Sequence, residues 1–72
     1  MKMDKINERA VAAIEERAKQ NGVRASKEYR KLDISYNVWH SWKHKGFQPT
    51  SYFLRQMALA GYDVLYILTG VK

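Results

Sequence analysis

Cysteine is absent from this 72-residue chain, which excludes disulfide staples and thiolate metal sites and agrees with a reducing compartment. No apolar run approaches the roughly 18 residues that cross a bilayer, and no basic–apolar–small leader pattern is present. A soluble, cytoplasmic chain is therefore expected. Runs of alternating polarity long enough for a strand are missing too, as are internal repeats and low-complexity segments. No Ser/His/Asp or Cys/His set, phosphate-cradling glycine loop or paired carboxylates in a cleft can be assembled, so neither an enzyme nor a cofactor is expected. The last absence is local. Between Ile34 and Tyr62 there is no Asp or Glu, while Lys43, Lys45 and Arg55 fall inside that window.

What is present fits one domain, residues 1–72, close to the size below which a core no longer stabilises itself. The formal net charge is +6 and the pI is near 9.8. On so small a body this favours DNA, RNA or an anionic membrane surface over neutral partners. The N-terminal third mixes signs, with Lys5, Arg9, Arg17 and Lys19 among Asp4, Glu8, Glu15 and Glu16. That mixture is the pattern of a solvated face. The acid-free window is the candidate interaction surface.

Taken in order, the chain reads as five helices. Asp4 is placed to cap a first helix running to about Gln20, with Asn21-Gly22 as its stop. Its Ile6, Ala10, Ala13, Ile14 and Ala18 form the inward side. This helix has too few bulky apolar residues and too little basic charge to lie on a membrane. Ser26 is expected to cap a second helix, Lys27–Leu32, with Ala25, Tyr29 and Leu32 on one face. Asp33 stands where a tight turn wants a left-handed residue, which Asp tolerates better than most. Pro49 requires a loop at Phe47-Gln48-Pro49. Thr50 or Ser51 is expected to cap a fourth helix, Tyr52–Ala60, with Phe53, Leu54, Met57 and Ala58 inward. Asp63 caps a last, strongly apolar helix that Gly70 ends.

The third helix carries the chemistry. Ser35 accepts an orphaned backbone N–H at its start and Gly46 ends it. Val38, Trp39 and Trp42 make an apolar stripe. The opposite face holds Tyr36, Asn37, His40, Ser41 and His44, with Lys43 and Lys45 alongside. The tryptophans could stack on unpaired bases, but their spacing on the apolar side favours core packing. His40 and His44 have the i, i+4 spacing of zinc ligands, but no Cys is available as a third ligand, and Asp33 or Asp63 would have to serve.

Ile34-Ser35, Trp42, Pro49 and the run Gly61-Tyr-Asp-Val-Leu-Tyr-Ile-Leu-Thr-Gly70 together resemble the DNA-binding domain of phage CI/Cro-type repressors, the lambda-repressor-like helix-turn-helix family. The likeness covers roughly Ala25 to Gly70. It implies an all-α, five-helix bundle in which 26–32 is the positioning helix and 35–45 the recognition helix. It also implies a phage or prophage type of transcriptional regulator in a bacterial cell. The chain departs from the family at Tyr29, where a small residue is usual, at Asp33, where Gly is usual, at Ala25, where Gln is common, and at Trp39, which is larger than the usual Val or Ile. Ending two residues after Gly70, the chain is expected to be either a compact Cro-like protein without the C-terminal region of longer repressors, or a fragment.

The implied function is operator occupancy on double-stranded DNA, as a homodimer, with no membrane and no small-molecule substrate. Ser35, Tyr36, Asn37, His40, Ser41 and His44 would approach base edges and phosphates. Asn can bridge adenine N6 and N7. Lys43, Lys45 and Lys27, with Arg30 and Lys31, would neutralise phosphates. A reading from another class keeps the same fold but binds an acidic protein partner.

Overall fold

Ala10, Ile14 and Ala18 recur every fourth residue, a spacing that returns side chains to one face of a helix. In a computed structural model, which describes residues 5–71, all three are buried along α1 (Ile6–Gln20). Val11 and Asn7 join them, so the buried stripe is wider than the alanine pattern indicates. Four shorter helices follow: α2 (Ala25–Lys31), α3 (Tyr36–His44), α4 (Ser51–Leu59) and α5 (Val64–Thr69), with no strand among the described residues. No described helix is long and apolar enough to cross a membrane. Helix α1 packs against α2, α3 and α5, and α4 closes on α5. The core gathers Ile14, Tyr29, Leu32, Ile34, Trp39, Trp42, Met57 and Ile67.

Three of the helix ends use the same device. A left-handed residue follows the helix, the next residue's N–H reaches back five positions, and an apolar side chain covers the joint. Gly22 with Val23 does this after α1, and Gly61 with Tyr62 after α4. After α2 the left-handed residue is Asp33, at φ 64°. Its own N–H donates to Arg30 O and that of Ile34 to Tyr29 O, both at 3.1 Å. Asp here has a use that Gly lacks: its Oδ2 accepts from the Tyr52 hydroxyl at 2.9 Å. The α2–α3 turn is thereby tied to α4.

Several boundaries differ from the sequence expectation. The Asp4 cap falls outside the described residues. Helix α2 starts at Ala25 after an extended Arg24, so Ser26 lies inside it and caps nothing. The left-handed Gly22 turns the chain early enough for the helix to begin at once. Thr50 holds the N-cap position of α4 without a side-chain bond. Ala58 is exposed, because Met57 with half-buried Phe53 and Leu54 already spans the inward arc of α4. Helix α5 divides: Ile67 is buried, while Leu65 is 70% and Leu68 40% exposed.

Polar residues of α1 do more than face solvent. Asn7 Nδ2 donates to Trp42 O at 2.7 Å, and its backbone N–H is received by Gln48 Oε1 at 2.9 Å. One buried side chain thus ties the first turn of α1 to the last turn of α3. Arg9 Nε donates to Ile67 O and Arg17 Nη1 to Ala60 O, both at 2.7 Å. Each guanidinium sits at the negative end of another helix, where orphan carbonyls and the macrodipole favour a cation. Asn7→Ala is expected to cost about 1–3 kcal/mol, the desolvation penalty of a buried carbonyl left unpaired. Urea denaturation checks it, and an unchanged midpoint would remove Asn7 as a strut.

Tyr62 lies under the Arg17 guanidinium, 3.6 Å from ring centroid to Cζ. Its hydroxyl is enclosed without a well-formed hydrogen bond. Burial pushes the phenol above its ordinary value of 10.0, with Arg17 opposing. At Tyr52 the hydrogen bond to Asp33 raises the phenol as well. In both, the folded state keeps a proton that the unfolded chain releases. Their contribution is therefore fully present below the ordinary tyrosine pKa of 10.0 and lost as pH rises through the higher folded values. Denaturation midpoints should fall above that pH, and Tyr62→Phe should flatten the fall. It should also raise stability at neutral pH by relieving the orphan hydroxyl.

Candidate nucleic-acid interface

The outward face of α3 is set by what lies behind it. Trp39 and Trp42 are buried, Trp39 stacked on Tyr29 with centroids 4.7 Å apart and Trp42 edge-on to Phe53 at 5.4 Å. Two large rings held in this way fix the rotation of the helix about its axis. The tryptophans therefore belong to the core, as their spacing indicated. The bulk at Tyr29 and Trp39 is accommodated as one stacked pair where α2 and α3 meet.

Ser35 has an extended backbone and its Oγ accepts from Val38 N at 3.2 Å, satisfying one of the free donors at the start of α3. Tyr36 is 64% exposed. Asn37 is exposed, and its amide meets no hydrogen-bond partner among the described residues. The rings of Tyr36, His40 and His44 run in a row, with centroid separations of 5.8 and 4.7 Å. Ser41 differs from its neighbours: its hydroxyl donates to Val38 O at 2.7 Å, so it offers a ligand only its lone pairs.

The cations fall into two groups. Lys43 Nζ is paired with Glu15 Oε2 at 2.8 Å, each side chain about two-fifths exposed. The acid-free window of the sequence is therefore not acid-free in space. An exposed pair of this kind contributes about 0–1 kcal/mol, so a phosphate can displace the carboxylate. Lys31 is likewise bridged to the buried Glu28 at 3.5 Å. Lys45, Lys27 and Arg30 have no bridging carboxylate among the described residues. Lys27 lines an open hollow of about 570 Å³ with Arg24, Ser26 and Arg30. Arg24 is the addition that the sequence reading missed. Its signal was the i, i+3, i+6 spacing of residues 24, 27 and 30. Glu15 gave no local signal, standing 28 residues from Lys43.

The arrangement can donate, accept and neutralise along one helix, with no carboxylate side chain carried on that helix. No three of His, Cys, Asp or Glu converge as a metal cluster among the described residues. Comparison with protein-family models, with curated proteins and with solved structures returns no match.

Proposed function

We propose that this chain is a helix-turn-helix protein of the lambda-repressor-like type that binds double-stranded DNA sequence-specifically and regulates transcription by occupying an operator. In this reading α3 enters the major groove, and Asn37, His40 and Tyr36 approach base edges. Lys43, Lys45 and the Arg24–Lys27–Arg30 cluster fix register on phosphates. The observation that carries the reading is the outward face of α3. It consists of Tyr36, Asn37, His40, His44 and lysines, held rigidly by two buried tryptophans. The tight turn at Asp33 between α2 and α3 supports the same reading.

A single module covers about 600–1,000 Å², little for tight specific binding. A homodimer on half-sites about 34–36 Å apart completes the proposal. Leu65 and Leu68, the outward residues of α5, are the candidate contact.

A second reading, a protein-binding module for an acidic partner, draws on two observations. Phe47, just after α3, is 62% exposed and Tyr36, at the other end of the helix, 64% exposed, and Lys43 is already matched by a carboxylate. Titrating random duplex DNA at rising ionic strength separates the readings. A groove binder loses affinity steeply, in proportion to the phosphates contacted. Absence of duplex binding at low salt would reject the regulator and leave the protein-binding module. Selection from a random duplex pool should then return a pseudo-palindromic operator.

A further inference from the structure

His40 and His44 are the only histidines of the chain, and α3 places them one turn apart on its outer face. Their ring centroids are 4.7 Å apart with planes inclined by 45°. That separation has a chemical meaning. With metal–nitrogen distances of about 2.0–2.1 Å, two imidazoles on one ion have centroids roughly 4.5 Å apart at a right angle and roughly 5.2 Å apart at the tetrahedral angle. The observed spacing lies nearer the right angle.

We propose that His40 and His44 form a two-imidazole chelate for divalent copper or nickel, with one ring nitrogen of each occupying adjacent positions of a square-planar or tetragonal sphere. Copper and nickel prefer that geometry, and borderline imidazole nitrogen suits both. Structural zinc sites instead want four protein ligands in a tetrahedron, and no third His, Cys, Asp or Glu joins the pair among the described residues. Water fills the remaining positions. Loading displaces two waters from the ion, and any protonated imidazole gives up its proton.

Two features favour chelation over two independent imidazoles. The buried Trp39 and Trp42 lock α3, so the pair is held in register before the ion arrives. His40 is half-buried, which narrows its rotamers, and His44 is exposed, so an ion can reach the pair from solvent. Lys43 and Lys45 oppose a cation nearby, but Lys43 is neutralised by Glu15. The site is thus an exchangeable one.

The test is calorimetric titration of the untagged protein with copper(II), nickel(II), zinc(II) and magnesium chlorides, without DNA, so its outcome does not depend on the proposed operator binding. One saturable copper equivalent per chain is expected, in the order copper, nickel, zinc, with no response to magnesium. Electron paramagnetic resonance of the copper form should report two equatorial nitrogens. His44→Gln, at an exposed position, should leave the helical circular dichroism unchanged and weaken copper binding at least tenfold. His40→Gln with His44→Gln should abolish it. Copper binding that survives in the double variant, or the absence of saturable binding in the parent, would overturn the site. Zinc bound more tightly than nickel would overturn the right-angle geometry.

Discussion

Trp42→Ala is expected to lower stability by about 3–5 kcal/mol, the usual cost of truncating a large buried aromatic. A 72-residue domain has in all only about 4–11 kcal/mol to lose. Trp42 is 2% exposed, meets Phe53 edge-on and presents the carbonyl that Asn7 holds. Removing its ring empties the space between α1, α3 and α4 and loosens the helix that carries the outward face. Thermal and urea melts of the variant should show a strongly lowered midpoint or no cooperative transition. Trp42→Phe should recover much of the loss. A Trp42→Ala protein that melts like the parent but fails to bind single-stranded DNA would mean that the ring stacks on bases, and the core assignment would fall.

If the chain is the proposed operator-binding regulator, replacing Asn37 and His40 together with alanine should erase most of the discrimination between operator and random duplex. Each good base contact is worth about 1–3 kcal/mol, so the loss for two amounts to one or more orders of magnitude in specificity ratio. Binding to random duplex should change little, since phosphate contacts supply it. Lys43→Ala should behave differently, weakening all sequences alike and reducing the salt slope by about one. The pair with Glu15 adds an opposite expectation. Glu15→Gln removes the carboxylate paired with Lys43, so on the proposed reading, in which Lys43 anchors a phosphate, duplex affinity should rise for every sequence. Equal effects of all these changes on every sequence would refute the division between base readers and phosphate anchors.

The all-helical order was legible in the sequence because its signals are local. Ser35 and Asp63 cap α3 and α5 as read, with their side chains accepting from Val38 N and Tyr66 N. Asp33 adopts the left-handed turn, and the tryptophans face inward. Of the candidate site, the exposure of Tyr36, Asn37 and His44 followed from helical periodicity, since burying one arc exposes the other. The inward hydroxyl of Ser41 did not, because serine bonds back to its own helix or points outward with the same sequence around it. Nor did Asn7, Arg9, Arg17, Gln48 or Glu15. Each acts on a group far along the chain, and the acceptor is most often a backbone carbonyl at a helix end. Carbonyls are common to all residues, so no residue pattern marks them. On a helical wheel such an arginine looks like any solvated one.

Those arginines set a condition on how the molecule comes together. Arg9 is made early, yet the carbonyl it holds belongs to a residue 58 positions later. Arg17 waits across 43 positions for Ala60. On the ribosome the first helix therefore cannot complete its own contacts until Ala60 and Ile67 have emerged. Closing such long loops costs entropy before any contact rewards it. Assembly should thus come late and all at once, with α4 and α5 locking onto a helix synthesised long before them. Amide protons near the ends of α4 and α5 should accordingly exchange together with those of α1, as one cooperative unit.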